Sequence, residues 1–325
     1  MESVCFPLLN AIYEKKALPK TDGAALLEEA GHFNISAQLY VLLKQHPLTD
    51  KLEKSLLAAL KQNYEKTFFV NMMIKRQFEE MIDAFEAEKL DMIALKGIPF
   101  AEKYFGHFSA RPTSDIDILV KEADIEKSIL ILQRLGYTEA ERIIPGHFHT
   151  SFRRQLPGSS TPLRVEVHWD LLKKNTASLQ MQPFWQNAGR KNGYKHIWEL
   201  SAYHTFYLIC LHGWRHNMDS LKYFLDIVQL IYVIGEKINY TELFEDASRD
   251  QTRKRLIRTL SIVYKQFPHL QTVKPFPYKK TASCWSFSPF LDKSRRSLKV
   301  YADFIDYQLF SFDHMKHIWN NARGS

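Results

Sequence analysis

The chain has 325 residues, 45% of them apolar and 13% aromatic, which excludes a wholly disordered polymer and leaves room for two or three domains at about 100–200 residues each. Its 44 basic and 36 acidic residues give a formal charge of +8, compatible with an anionic ligand but spread along the sequence rather than gathered into a nucleic-acid track. Three isolated cysteines, Cys5, Cys210 and Cys284, show neither metal-ligand spacing nor a disulfide framework, and no apolar run approaches the roughly 18 residues of a membrane span, so a cytoplasmic protein with no membrane partner is expected.

Residues 1–90 read as an N-terminal helical region. Leu8, Leu9 and Ile12 recur at helical spacing, and Pro19 closes that piece. Residues 24–30 predict a second helix stopped near Gly31, and Ser36 caps a third that runs to Leu43. Asp50 with Glu53 three residues on is a capping-box signature. The long amphipathic run behind it, through Leu52, Leu56, Leu60, Tyr64, Phe68, Met72, Phe78, Ile82 and Phe85, reads as core.

Residues 91–175 read as an α/β core. Residues 92–95 form a short strand, and Gly97 turns the chain into a helix over 100–104. Amides exposed at a helix start suit phosphate, and Lys96 adds a point charge for a β- or γ-phosphate; the plainer alternative makes Gly97 a turn residue and Lys96 a surface lysine. Residues 105–114, with Pro112, lack periodicity and predict a loop crossing the site, in which Arg111 meets a phosphate or an aspartate. The apolar run behind Asp115-Ile116-Asp117 makes that segment a strand. A helix over 123–135 stops at Gly136. Residues 137–144 and 148–156 predict a hairpin about Pro145-Gly146, and 164–169 a further strand.

Residues 176–325 read as a C-terminal helical region. An irregular connection over 175–193 precedes helices over 199–214, 221–234, 240–247 and 252–267. Residues 268–289 hold four prolines and predict a loop, and 298–310 a last helix. His212 and His216 stand at i and i+4, a spacing that zinc can use, but no third ligand accompanies them. The sequence has no internal repeat, no Walker A motif, no dinucleotide-binding glycine motif and no serine nucleophile elbow.

The chemistry gathers on the two central strands. Side chains at i and i+2 share a face of a strand, so Asp115 and Asp117 point the same way while Ile116 and Ile118 enter the core. Two neighbouring carboxylates need a cation between them, and oxygen-only ligands suit a hard divalent ion such as Mg²⁺. Val165 and Val167 alternate with Glu166 and His168 in the same manner. If the strands are sheet neighbours, Glu166 adds a third carboxylate, and the three could hold two Mg²⁺ about 3.5–4 Å apart for attack on a phosphate. The bland alternative is a pair of turn aspartates beside a buried strand, with Glu166 facing solvent. His168 then orients Glu166, touches substrate, or serves as a structural histidine.

The ordered set Leu95-Lys96-Gly97, Arg111, Ser114 through Val120, Leu135-Gly136-Tyr137 and Val165-Glu166-Val167-His168-Trp169 resembles the uncharacterised nucleotidyltransferase family, a branch of the polymerase-β-like nucleotidyltransferase superfamily. The resemblance continues at 211–216, Leu221-Lys222 and Asp226, and covers roughly residues 90–230. Where the superfamily usually opens its helix with Gly-Ser, this chain has Lys96-Gly97-Ile98. The resemblance implies an α/β (α+β) nucleotidyltransferase core with a small mixed sheet, flanked by the two helical regions. It implies catalytic and metal-binding roles for Asp115, Asp117 and Glu166. Lys96, Gly97, Arg111, Ser114 and His168 would then hold the nucleotide, joined from the C-terminal helices by His212, Lys222 and Asp226. The reaction implied is Mg²⁺-dependent transfer of a nucleoside monophosphate from an NTP, with ATP favoured, and release of pyrophosphate. The favoured acceptor is a hydroxyl or phosphate on a small molecule or peptide, as in natural-product tailoring. Two alternatives accompany it: a nucleotide-binding module without turnover, and a nucleotidyltransferase acting on RNA ends.

Overall fold

Seven short strands make one mixed sheet in the computed structural model, which describes residues 2–47, 52–141, 146–159, 161–278, 284–291 and 298–322. The strands are β1 (Met92–Ala94), β2 (Asp115–Leu119), β3 (Thr138–Glu141), β4 (His149–Arg154), β5 (Leu163–His168), β6 (Gly189–Arg190) and β7 (Ile197–Glu199). They lie in the order β3-β4-β5-β2-β1-β7-β6. Strands β2 and β5 run parallel to each other at the centre, and β1 is antiparallel to β2. This is the α/β architecture expected, with strands and helices mixed.

All seven strands belong to one compact unit, residues 66–205. Period-2 alternation in β2 and β5 gives that sheet two unlike faces. Ile116, Ile118, Val165 and Val167 join Phe152, Met92 and Ile197 in a buried apolar layer. The C-terminal half of helix α4 (Lys54–Ala87) covers this layer with Ile74, Phe78, Met81 and Phe85, and helix α6 (Ile125–Arg134) adds Ile131 and Leu132. Between the two helices, α5 (Ile98–Phe105) follows β1, starting two residues earlier than expected. The other face carries Asp115 and Asp117 from β2 and Glu166 and His168 from β5.

The predicted α4 stripe holds at its ends and fails in its middle. Leu56, Leu60, Phe78, Ile82 and Phe85 are buried, but Met72 is exposed and Asn71 is buried instead. Successive i+4 steps advance 400°, so each walks about 40° around the helix, and four of them leave the apolar face. The stripe that packs returns through Asn71, Ile74, Phe78, Met81 and Phe85 at alternating steps of three and four.

Two further expectations are corrected. Residues 175–193 carry a short helix, α7 (Gln182–Gln186), and strand β6. Glu199 ends β7 rather than opening a helix, and α8 (Ala202–Arg215) begins after it. Three residues are too few for alternation to show, and β7 exists because it pairs with β1. Asp91 fastens that junction: its carboxylate accepts from Trp198 Nε1 at 3.2 Å and meets His196 Nδ1 at 3.0 Å and Lys121 Nζ at 2.7 Å.

The second unit, residues 1–65 and 206–325, is helical in its described residues. Helices α1 (Cys5–Tyr13), α2 (Gly23–His32) and α3 (Ser36–Lys44) precede α4. Asp22 caps α2 by accepting from the amides of Ala24 and Ala25. Ser36, expected as a cap, is instead the first helical residue of α3, and Ile35 holds the cap position with no side-chain bond. Asp50 of the expected capping box lies outside the described residues. After α8 come α9 (Leu221–Ile234), α10 (Tyr240–Arg249), α11 (Arg253–Gln266), α12 (Leu270–Val273), α13 (Ser288–Leu291), α14 (Leu298–Ile305) and α15 (Met315–Ala322). Residues 268–289, expected as a loop, supply α12 and bury Phe276, Trp285 and Phe287. Phe6 lies 5.0–5.7 Å, ring to ring, from Phe224, Phe267 and Phe287. Among the described residues, no helix is long and apolar enough to cross a membrane.

Candidate active site

The polar face of the sheet is organised by register. Asp117 stands directly beside Glu166 across the parallel β2–β5 pair, and Asp115 beside Arg164. On the far side of β5, Ser151 stands opposite Glu166 and His149 opposite His168. Side chains paired in this way project from the same face, so Ser151, Glu166 and Asp117 form one row across three strands. Glu166 is only partly exposed, and Asp117 is buried with 1% of its surface accessible.

Lys96 closes the row from the end of β1. Its Nζ is 2.8 Å from Asp117 Oδ2 and 3.4 Å from Asp115 Oδ2. Gly97 makes this approach possible with φ +82°, a region costly for side-chain-bearing residues, and an added Cβ would sit 3.4 Å from Thr113 Cγ2. On the other flank, His168 Nε2 lies 3.3 Å from Asp117 Oδ1 and 3.3 Å from Glu166 Oε2. The ring of His149 stacks on that of His168 at 5.0 Å.

These contacts decide the charges. Burial alone would neutralise Asp117, but the Lys96 ammonium and the His168 hydrogen bond outweigh it and hold the carboxyl below its ordinary value. Burial pushes Glu166 up as well; His168, with help from His149 and Lys96, brings it down to about 2. The same balance read from the cations raises Lys96 and His168, whose desolvation is overcome by the carboxylates they touch. The arrangement thus favours the anionic forms of Asp117 and Glu166 and shifts Lys96 and His168 towards their protonated forms.

The loop leading into β2 is held from below. Asn71 on α4 is buried; its Nδ2 donates to the carbonyls of Phe108 at 2.6 Å and Arg111 at 2.8 Å, and its Oδ1 accepts from the Thr113 amide at 3.2 Å. Arg111 is 1% exposed, with its guanidinium 5.3 Å from the Phe100 ring centroid. Ser114 Oγ lies 3.4 Å from Asp115 Oδ1. Sequence reasoning missed Asn71, which reads as a polar break in an apolar stripe, and Ser151, a small residue in a hairpin. The Ser151 hydroxyl and His168 Nδ1 are buried without a hydrogen-bond partner in the structure.

The structure thus brings together Lys96, Gly97, Asp115, Asp117, Glu166 and His168 on one sheet face. His212, Lys222 and Asp226 belong to the helical unit, on α8 and α9. There the His212 ring meets His216 at 4.9 Å and Tyr223 at 5.2 Å, and Asp226 is buried. Ser220 caps α9 through the Lys222 amide.

A family model described as uncharacterised nucleotidyltransferase matches residues 19–268, well over half of the chain. The chain belongs to that family. It is a nucleotidyltransferase, an enzyme that transfers a nucleotidyl group and therefore takes a nucleotide as substrate. No curated protein and no solved structure matches the chain. The match reaches back through α2, α3 and α4, well before the motif-bearing stretch.

Nucleotidyltransferases generally work with a divalent ion, and the donor set of this one can be tested for fit. Asp117, Glu166 and His168 offer ligand atoms within 4.8 Å of one another, the one such group among the described residues. Two carboxylate oxygens fit a hard divalent ion; the raised His168, which donates to both, fits the role of orienting them. Asp115 stands outside the group, with its carboxylate on Lys96.

Proposed function

We propose that this nucleotidyltransferase moves a nucleoside monophosphate from an NTP, ATP favoured, to a hydroxyl or phosphate oxygen of a small-molecule or peptide acceptor. The observation that carries the reading is the row of Asp117 beside Glu166, with Asp115 two residues back on the same strand and Lys96 at its head. In the reaction the acceptor oxygen bonds to the α-phosphorus, the bond from that phosphorus to the bridging oxygen breaks, and pyrophosphate leaves while the acceptor proton passes to solvent. Mg²⁺ held by Asp115, Asp117 and Glu166 would supply charge neutralisation and alignment of the triphosphate.

The chain's own groups account for the rest. Lys96 supplies a compact charge for the β- or γ-phosphate, and the turn at Gly97 brings backbone amides close to it. His168 fixes the facing oxygens of Asp117 and Glu166 by donating between them. Glu166, level with Asp117 in the register, adds a further carboxylate to the row. Arg111 and Ser114 remain with the loop that enters the site, as candidates for phosphate contact.

The test is to incubate the protein with Mg²⁺, each NTP and a panel of acceptors, and to follow the acceptor's mass. Wild type is expected to add one nucleoside monophosphate. Asp115→Asn and Asp117→Asn are expected to lower transfer by about 10²-fold or more, the scale of losing one electrostatic group from such a site. Asp115→Asn is the cleaner variant because its side chain is 25% exposed and its loss disturbs folding least. Full activity in a folded Asp115→Asn protein would remove the carboxylate row from the mechanism.

A further inference from the structure

Two aspartates on one strand face repel unless a positive charge stands between them. In this protein the charge is covalently supplied. The Lys96 ammonium touches both Asp117 and Asp115, at 2.8 and 3.4 Å, and its side chain is 14% exposed. The aspartate pair therefore already has a cation of the protein's own between its members.

This arrangement disfavours a divalent ion arriving alone. To seat between the aspartates it must displace the ammonium, and a buried ammonium stripped of its partners is costly. A triphosphate removes that cost, because its oxygens give Lys96 new anionic partners as the aspartates are released. The lysine stem is flexible and its ammonium is a point charge with no fixed fork, so the exchange needs side-chain rotation alone.

We propose that Lys96 is the exchangeable counter-ion of the Asp115–Asp117 pair, so that a divalent ion enters together with the triphosphate and not before it. The proposal rests on the metal-dependent reading of the site and adds to it the order in which the partners assemble. Linkage makes the effect reciprocal: the ion tightens the triphosphate by the same factor by which the triphosphate tightens the ion.

Mn²⁺, which is visible by electron paramagnetic resonance, serves as the probe in titrations of full-length wild type, Lys96→Met, Lys96→Gln and Asp117→Asn. Each is titrated with and without a triphosphate that carries a non-cleavable α,β bridge. Without nucleotide, Lys96→Met and Lys96→Gln are expected to bind Mn²⁺ at least about tenfold more tightly than wild type, because a competing charge a few ångströms away is gone. The gain in Mn²⁺ affinity brought by the triphosphate should be larger in wild type than in Lys96→Met, a ratio from which chelation by the nucleotide itself cancels. If both Lys96 variants, shown folded by circular dichroism, bind Mn²⁺ alone no more tightly than wild type, while Asp117→Asn abolishes binding, the exchange is wrong and the metal site stands. Should Mn²⁺ binding survive unchanged in Asp117→Asn, the metal site and the exchange fall together. An equal triphosphate gain in wild type and Lys96→Met also overturns the exchange.

Discussion

Asp117 has almost no exposed surface and still keeps its charge, because Lys96 and His168 approach it from either side. Glu166 shares that support, and its pH response follows. Its carboxyl titrates at about 2 in the fold against an ordinary value of 4.5, so the stabilisation is complete above pH 4.5 and is lost as pH falls towards 2. The stability of wild type minus that of Glu166→Gln, from denaturant unfolding at a series of acid pH values, should therefore shrink as pH falls from about 4.5 towards 2. A difference that stays flat down to about pH 3 would mean that His168 does not hold the carboxylate. His168 acts in the opposite sense: its raised value adds stability below 6.5, lost as pH rises through the folded value. The shared face of Asp115 and Asp117 was legible in the residues, since strand parity is local. The identity of the cation between them was not. Lys96 lies 19 residues before Asp115 and reaches it only through the antiparallel β1–β2 pairing.

Helix α4 shows what element-level reading can and cannot supply. Its 34 residues were recognisable as one helix, and both ends of its apolar stripe are buried as expected. Its middle was misread because an i+4 series drifts around the helix, and because the buried residue there is polar. Asn71 makes sense only against a loop 37 to 42 residues further on, whose two carbonyls and one amide it satisfies. Asn71→Leu should lower the unfolding free energy by about 2–4 kcal/mol, since buried backbone groups lose their partners. It should also weaken transfer by releasing the loop that enters the Asp115 strand. Urea unfolding measures the first effect; a loss below about 0.5 kcal/mol, the range of ordinary surface changes, would show that the loop is braced elsewhere. The small strands β6 and β7 belong to the same lesson, being too short to carry a period and dependent on their pairing partners.

For the molecule as a whole, a formal charge of +8 invites a nucleic-acid reading that the structure weakens. Of the Arg253-Lys254-Arg255 cluster, Arg255 is fully buried, with its guanidinium 4.4 Å from the Trp214 ring and 4.6 Å from Phe312. The clusters at 279–280 and 295–296 lie outside the described residues. Single-stranded RNA is accordingly expected to bind only at the roughly 10⁻⁴–10⁻⁶ M of sequence-independent charge attraction at physiological salt. Filter binding from 50 to 200 mM salt checks this, and sub-micromolar retention at the upper end would move the acceptor to RNA ends. The sequence by itself determined strands β1 to β5, most of the helices, the apolar and polar faces of β2 and β5, and the family-bearing motifs, because each depends on neighbours a few residues apart. Only the tertiary structure decided that β5 lies against β2 with Glu166 level with Asp117, that Lys96 pairs with Asp117 and Asp115, and that helices from the two ends of the chain make one unit. Those outcomes depend on pairings between segments tens to hundreds of residues apart, and a hydrophobic period names the face to be buried without naming what buries it.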